Sequence, residues 1–298
     1  MIYQANAPVH VSAETSDGMN RFSLRDLSDA AAEQIIELAY HETGIRLNMA
    51  KKPMMISRLN KRLDELGIDT FEEYVKYLQK NGATSHEFSA FVDAISTNKT
   101  AFFRENDHFE YLTANVLPTY SVRSGRNVSI WSAGCSTGKE PYTLAMVCAE
   151  YFADSKGFEI LASDISQAAL KSAIIGVYPK DKYHQIPDAF QKKYLLKGVG
   201  SQSSNFRITP EIRARIRFKT VNLVDETWEL PQNVSIIFCR NVMIYFDKAT
   251  RQSIISRMYD ILPPEGWLFI GHSETLNDLD HQFTAVRPTI YVKRSAAK

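Results

Sequence analysis

The sequence predicts an α/β fold: a doubly wound, mainly parallel sheet carrying a small antiparallel β insertion and preceded by an all-helical N-terminal domain. Three observations lead there. Five apolar runs, Ser129–Ala133, Glu159–Ser163, Arg217–Asn222, Val234–Cys239 and Trp267–Gly271, are separated by stretches of helical periodicity. Continuous apolar runs mark strands buried on both faces, and their alternation with helices implies parallel crossover connections. The first run leads into Gly134-Cys-Ser136-Thr-Gly138, then an amphipathic helix, then a second run closed by Asp164. From Leu27 to Phe91, by contrast, the pattern is helical throughout.

Taken in order, residues 1–20 are polar, with Pro8 and a Ser-Asp-Gly cluster, and read as a flexible tail. A helix starts at Asp29 and ends near Gly44. A second runs from Pro53, which suits a first turn, to Leu66, where Gly67 suits the stop. Thr70 followed by Glu73 is a capping box opening a third helix. Ser85–Thr97 is a fourth. The strands follow, interrupted between about Tyr194 and Thr220 by short segments around Gly198-Val-Gly200 and Phe206-Arg-Ile208, which read as the antiparallel insertion at about 194–216. The expected division is a tail at 1–20, a helical domain at 21–96 and an α/β domain at 97–298.

A net charge of +1 gives no global field for nucleic acid or an acidic membrane. Cys135, Cys148 and Cys239 form no Cys-x-x-Cys pair, which fits a reducing compartment without disulfides. The start lacks a signal-peptide pattern, and no apolar run reaches the roughly 18 residues of a membrane span. A cytoplasmic chain with no membrane insertion and no metal is the expectation.

The glycine turn admits several readings. The dinucleotide fingerprint is absent, because the spacing is Gly134-x-x-x-Gly138. Gly134-Cys-Ser136-Thr-Gly138 fits a serine nucleophile elbow, with His272 downstream, but only helices precede it where a hydrolase would have strands. A nucleoside-binding turn, with Asp164 accepting hydrogen bonds from ribose hydroxyls, fits the methyl-donor loop of an S-adenosylmethionine (AdoMet) enzyme. A turn that only packs is the plain alternative. Two further stretches stand out. Ile95-Ser-Thr-Asn98-Lys-Thr100-Ala-Phe-Phe-Arg104-Glu interleaves polar groups and an arginine with two phenylalanines, and reads equally as a linker. Ile236-Ile-Phe-Cys-Arg240-Asn241-Val-Met-Ile-Tyr245 is a buried strand ending in polar residues, at the sheet edge where α/β proteins bind ligands.

Those stretches, with Ala162-Ser-Asp-Ile and Gly271-His-Ser-Glu, resemble the chemotaxis receptor methyltransferases, the CheR family, over about residues 25–293. The resemblance implies a Rossmann-like AdoMet-dependent methyltransferase domain that methylates glutamate carboxylates on methyl-accepting chemotaxis receptors and releases S-adenosyl-L-homocysteine. It implies cofactor contacts from Asn98, Thr100, Arg104, Glu140, Asp164, Asn222, Leu223, Arg240 and Asn241, with Arg104 and Tyr245 near the transferring methyl. The family often has Glu where this chain has Lys139. A glutamate acceptor, with an ordinary pKa near 4.3, needs no general base, so His272 reads as a hydrogen-bonded residue at a strand end.

On the helix from Pro53, Met55, Ile56, Leu59, Leu63 and Leu66 share one face and Arg58, Lys61 and Arg62 another. The plain reading is a solvated face. The resemblance makes it a dock for the acidic methylated helices of a receptor. It also likens the insertion, with Gly198 and Gly200, to a small sheet that in some members binds a receptor's C-terminal pentapeptide by strand addition. Ser204 and Asn205 stand where a further glycine is expected. A monomer is expected. Two rivals from other classes are a non-catalytic AdoMet-sensing adaptor and a serine hydrolase acting through Ser136. An amine or nucleobase methyltransferase would carry Asn/Asp-Pro-Pro-aromatic after the fourth strand, where this chain has Cys239-Arg-Asn-Val.

Overall fold

The computed structural model describes residues 2–3, 25–121, 128–153, 157–231 and 233–295. A two-residue strand, β1 (Ile2–Tyr3), comes first. The expected tail at 1–20 therefore contains a strand at its start, and the remainder of it lies outside the described residues.

Four helices follow: α1 (Asp29–Thr43), α2 (Lys52–Leu66), α3 (Phe71–Asn81) and α4 (His86–Ile95). Their ends are set by local chemistry. The side chains of Ser28, Thr70 and Ser85 each accept a backbone N–H of the first turn. Gly44 and Gly67 stop α1 and α2 with φ of 68° and 66°. Helix α4 ends two residues before the expected Thr97, because Ser96 turns extended. Met55, Leu59 and Leu63 pack fully buried against Ile35, Phe71 and Phe91. Ile56 and Leu66, on the same face of α2, are partly buried at the margin. This burial, at about 1.5–3 kcal/mol per large side chain, is the main force holding the bundle.

Beyond a linker, α5 (Asp107–Tyr111), a π-helical turn (Leu112–Val116) and α6 (Leu117–Ser121) lead to the sheet. The chain then runs β2 (Val128–Ala133), α7 (Lys139–Tyr151), β3 (Phe158–Asp164), α8 (Gln167–Ile175), β4 (Val177–Pro179), α9 (Asp188–Tyr194), β5 (Leu195–Gly198), β6 (Asn205–Ile208), α10 (Pro210–Arg213), β7 (Ile216–Thr220), β8 (Ile236–Cys239), α11 (Lys248–Ile261), β9 (Trp267–Ile270), β10 (Thr284–Arg287) and β11 (Ile290–Val292). The large sheet has the order β10-β11-β9-β8-β2-β3-β7. β9, β8, β2, β3 and β7 pair in parallel, and β11 and β10 close one edge antiparallel.

Strand β2 is buried along its whole length. Its alternate residues feed cores on opposite faces, Ile130 one and Trp131 the other. The register places Ser132 beside Ala162 of β3 and Phe238 of β8, so the carboxyl ends of these three strands lie together. A sheet of this topology opens a crevice there.

Two sequence expectations need revision. The small sheet has the order β1-β5-β6-β4, so the insertion draws in Val177–Pro179 well before the expected start near 194. The β10–β11 hairpin was not anticipated, since β10 is exposed at every position and shows no alternation. Among the described residues, no helix is long and apolar enough to cross a membrane.

Candidate cofactor site

The crevice at the carboxyl ends of β2, β3 and β8 holds a cavity of about 270 Å³. The linker at 96–100 covers it on one side, and the end of α1 reaches it on another, through Thr43 and Ile45. Backbone and side-chain bonds lock the helical domain against this rim. Arg46 N donates to Tyr245 O (2.9 Å), and Asn222 Nδ2 donates to Glu42 O (2.8 Å). Asn98, Thr100, Arg104, Glu140, Asp164, Asn222, Leu223, Arg240, Asn241 and Tyr245 all line this one cavity.

The glycine turn is shaped for close approach. Gly134 has φ of 75°, and a Cβ there would lie 2.3 Å from Val242 Cγ2. Any side chain at 134 would therefore push the loop after β8 away from the loop after β2. Asp164, almost wholly buried, ties the turn down: one carboxylate oxygen accepts from Ser136 N (2.7 Å) and the other from Ser166 N (2.9 Å). Burial pushes its carboxyl up, and the Ser166 and Ser136 amides work against that. Each oxygen keeps a second lone pair, so two hydroxyl donors from the cavity can still be accepted. Asp164→Ala is expected to weaken S-adenosylhomocysteine binding about 10- to 100-fold, the worth of one or two hydrogen bonds to a charged group. Titration calorimetry checks this, and unchanged affinity would remove Asp164 from the ligand.

Arg240 anchors the second wall. Its side chain is 2% exposed. Nε donates to Glu140 Oε2 (2.8 Å), while Nη1 donates to Glu105 Oε2 (3.3 Å) and His108 Nδ1 (3.0 Å). The guanidinium also lies over the rings of Phe109 and Phe238, at 5.0 and 5.6 Å. Glu140 is held in turn by Ser132 Oγ (2.7 Å). Glu105 has φ of 55° and accepts from Asn241 Nδ2 (3.1 Å). Burial opposes its charge, but Asn241 and Arg240 hold its carboxyl below the ordinary value. The loop after β8 hangs on Glu274, whose carboxylate accepts the backbone N–H groups of Asn241 (2.8 Å), Val242 (2.9 Å), Met243 (2.8 Å) and Gly271 (2.5 Å). Burial pushes the Glu274 carboxyl up against these four donors.

His108 is fully buried, and its tautomer follows from its partners. Thr289 Oγ1 donates to Pro288 O (2.6 Å), so it accepts from Nε2–H of His108 (2.8 Å). Nδ1 then carries the lone pair that receives Arg240. Burial, reinforced by Arg240, pushes the imidazole down to about 4. The unfolded chain binds the proton near pH 6.5, so stability from this group is full above that value and declines as pH falls toward 4. The loss is expected to reach about 3 kcal/mol at 1.36 kcal/mol per pH unit. Urea melts between pH 7 and 4 should show it, and His108→Asn should flatten the slope.

Glu105, His108 and Glu274 did not stand out in the sequence. Glu105, His108 and His272 bring ligand-type atoms within 4.8 Å of one another, but both His108 nitrogens are already hydrogen-bonded. His272 pairs with Asp107 (3.1 Å), and Ser136 Oγ donates to Asn98 Oδ1 (3.4 Å). The serine–histidine couple of a hydrolase is therefore not formed. All three cysteines are buried and free.

A shallow groove between α2, α4 and the 96–99 linker adjoins the cavity, and Arg58, Lys61 and Arg62 all line it. They are not equivalent. Arg58 Nη1 donates to Ala94 O (3.1 Å) and Ser96 O (2.8 Å), capping α4. Arg62 grips the buried Glu87 with Nε (3.0 Å) and Nη2 (2.5 Å), and also pairs with Glu65. Tyr74 Oη donates to the same Glu87 (2.8 Å). Lys61, 81% exposed, reaches no buried group and makes only a loose surface pair with Glu65 (3.8 Å). Gly198 ends β5 of the small sheet, and Gly200 opens the 3-10 turn that follows it.

A doubly wound sheet whose glycine loop and strand-end acid meet in a crevice, with spare carboxylate lone pairs facing it, fits the adenosine half of AdoMet; the chain is a methyltransferase dependent on that cofactor. Residues 98–292 match the CheR methyltransferase SAM binding domain, and residues 30–96 match the CheR methyltransferase all-alpha domain. The chain belongs to the CheR methyltransferase family. It is 38% identical over 260 residues to chemotaxis protein methyltransferase 2 of Pseudomonas aeruginosa, covering 87% of this chain and 91% of that one. It is 36% identical to the chemotaxis protein methyltransferase of Salmonella typhimurium, covering 94% and 96%, and 36% identical to that of Escherichia coli, covering 89% and 91%.

Proposed function

We propose that the chain methylates glutamate side chains of chemotaxis receptors at the carboxylate oxygen. The observation that carries this reading is the lining of the cavity. It presents Arg104 and Tyr245 beside the cofactor loop, while its two carboxylates are engaged, Glu140 by Arg240 and Asp164 by the amides of Ser136 and Ser166. An amine acceptor would need a base to take its proton, whereas a carboxylate at neutral pH does not.

When bound, AdoMet supplies a methyl group on a sulfonium, already an activated leaving group. Asp164 receives the ribose hydroxyls, and Asn98, Thr100, Asn222, Leu223 and Asn241 close around the cofactor. Arg104 fixes the incoming carboxylate, and Tyr245 Oη orients it in line. Arg240 and Glu140 neutralise each other and hold the floor. The helical domain excludes water from the rim, which strengthens these contacts. The chain acts as a cytoplasmic monomer, its small sheet taking a receptor's C-terminal pentapeptide by strand addition at the β5 edge near Gly198 and Gly200.

Incubation with tritiated AdoMet and receptor-containing membranes tests the reaction. Base-labile methyl ester on the receptor is the expected product, and a label that survives mild base would overturn it. The groove on α2 is the receptor face, and its most exposed cation is Lys61, whose surface pair with Glu65 is long and solvated. Lys61→Glu is expected to raise KM for receptor about 2- to 5-fold, the effect of one rim charge, and to leave S-adenosylhomocysteine affinity unchanged. Arg62→Glu should instead unfold the helical domain, since stranding Glu87 costs about 3–5 kcal/mol.

A further inference from the structure

The edge of the small sheet is covered by the first residues of the chain itself. In the order β1-β5-β6-β4, β5 would be an edge strand without β1. Ile2 pairs with Lys197 and Tyr3 with Gly198, in parallel. Tyr3 is half-buried, and its hydroxyl donates to Gln202 Oε1 (3.4 Å), which also accepts from Asn205 Nδ2 (2.9 Å). Burial pushes the Tyr3 hydroxyl up, with Arg207 opposing. The edge is kept flat by its own sequence. A Cβ at Gly198 would lie 1.9 Å from Gln202 O, so no side chain can stand between β5 and the turn that follows it. Two paired residues make few hydrogen bonds, and Ile2 is 71% exposed, so the added strand is held weakly. An uncovered edge offers unpaired backbone groups to any extended segment.

We propose that Ile2–Tyr3 is an exchangeable intrasteric strand: it fills, in cis, the backbone edge to which an extended peptide bearing an aromatic residue would add, and it must leave before such a peptide can bind. This rests on the reading that the small sheet takes a receptor tail. The consequence is a threshold. A tail peptide must displace the chain's own strand, so receptor tethering is weaker in the intact chain than the bare edge would allow.

Hydrogen exchange of residues 195–199 tests it in three forms: the intact chain, Tyr3→Pro, which removes an edge N–H, and a chain lacking residues 1–8. Exchange there should be slow in the intact chain and at least tenfold faster in both variants. A synthetic peptide of residues 1–8 should restore protection in the truncated chain and change nothing in the intact one. Equal exchange in all three forms, or no protection by the peptide, overturns the proposal. Protection that rises with protein concentration overturns it too, because the strand would then come from a second copy. Receptor-tail peptides separate the two readings. If they bind intact and truncated chains equally, the cis strand is wrong and tail binding stands; if they bind neither while the 1–8 peptide protects, tail binding is wrong and the cis strand stands.

Discussion

Glu274→Ala is expected to lower the stability of the chain by about 3–5 kcal/mol and to weaken S-adenosylhomocysteine binding with it. Four backbone N–H groups, from Asn241, Val242, Met243 and Gly271, end on this single buried carboxylate. Stranding a buried donor costs about 1–3 kcal/mol, and water admitted to the vacated space recovers part of it. The loop concerned has little freedom to adapt. Asn241 sits at φ of 60°, and a Cβ at Gly271 would lie 2.4 Å from Asn241 Nδ2, so the two loops are packed backbone to side chain. Val242 in turn fits against Gly134 of the cofactor turn. Loss of Glu274 therefore reaches the cavity through Val242 as well as through Asn241. Urea unfolding with parallel calorimetry checks both effects. A loss under about 1 kcal/mol would mean that the loop holds its shape without the carboxylate. Glu274→Gln should recover only part of the stability, since one acceptor oxygen becomes a donor facing other donors.

Glu274 also shows where sequence reading stops. Strand-end residues such as Asp164 and Arg240 were legible because parallel topology dictates where they go: register puts the ends of β2, β3 and β8 side by side. Tyr245 followed by the same rule, just beyond the end of β8, whereas Asn98 and Arg104 were legible only through resemblance, since the linker that carries them has no period of its own. Glu274, Glu105 and His108 act on partners far along the chain, 33 residues away for Glu274 and Asn241, and nothing local marks a carboxylate that will serve distant amides. The basic face of α2 failed differently. Helical periodicity put Arg58, Lys61 and Arg62 on one side correctly, but it cannot tell a solvated charge from one spent on a buried Glu87. Strand β10 escaped because a solvent-exposed edge strand needs no alternation. The Ile2–Tyr3 strand is too short for any pattern, and its position is set wholly by the open edge of β5.

Arg104→Ala is expected to lower kcat about 100-fold while changing the S-adenosylhomocysteine dissociation constant less than about 3-fold, the loss typical of a reacting group left misplaced by about 1 Å. The reaction joins a carboxylate to a sulfonium, so charge disappears on the way to the transition state. A cation near the carboxylate then stabilises the reactants by simple attraction and risks slowing the transfer. The rate benefit of Arg104 must come from orientation, and the structure offers a reason that it can. Its side chain is 37% exposed, and Nη1 donates to Lys99 O (3.2 Å), leaving other guanidinium donors for a ligand. Arg240, by contrast, directs Nε to Glu140 and Nη1 to Glu105 and His108. Lysine at 104 would keep the charge and lose the planar fork, so Arg104→Lys should rescue little if orientation is the contribution. Tyr245→Phe removes only a hydroxyl and should cost about tenfold in kcat. Because both residues would hold one acceptor group, the double variant should lose less than the product of the two single losses. Strict multiplication of the two effects, or equal losses in kcat and cofactor affinity, would place Arg104 and Tyr245 in cofactor binding instead of acceptor alignment.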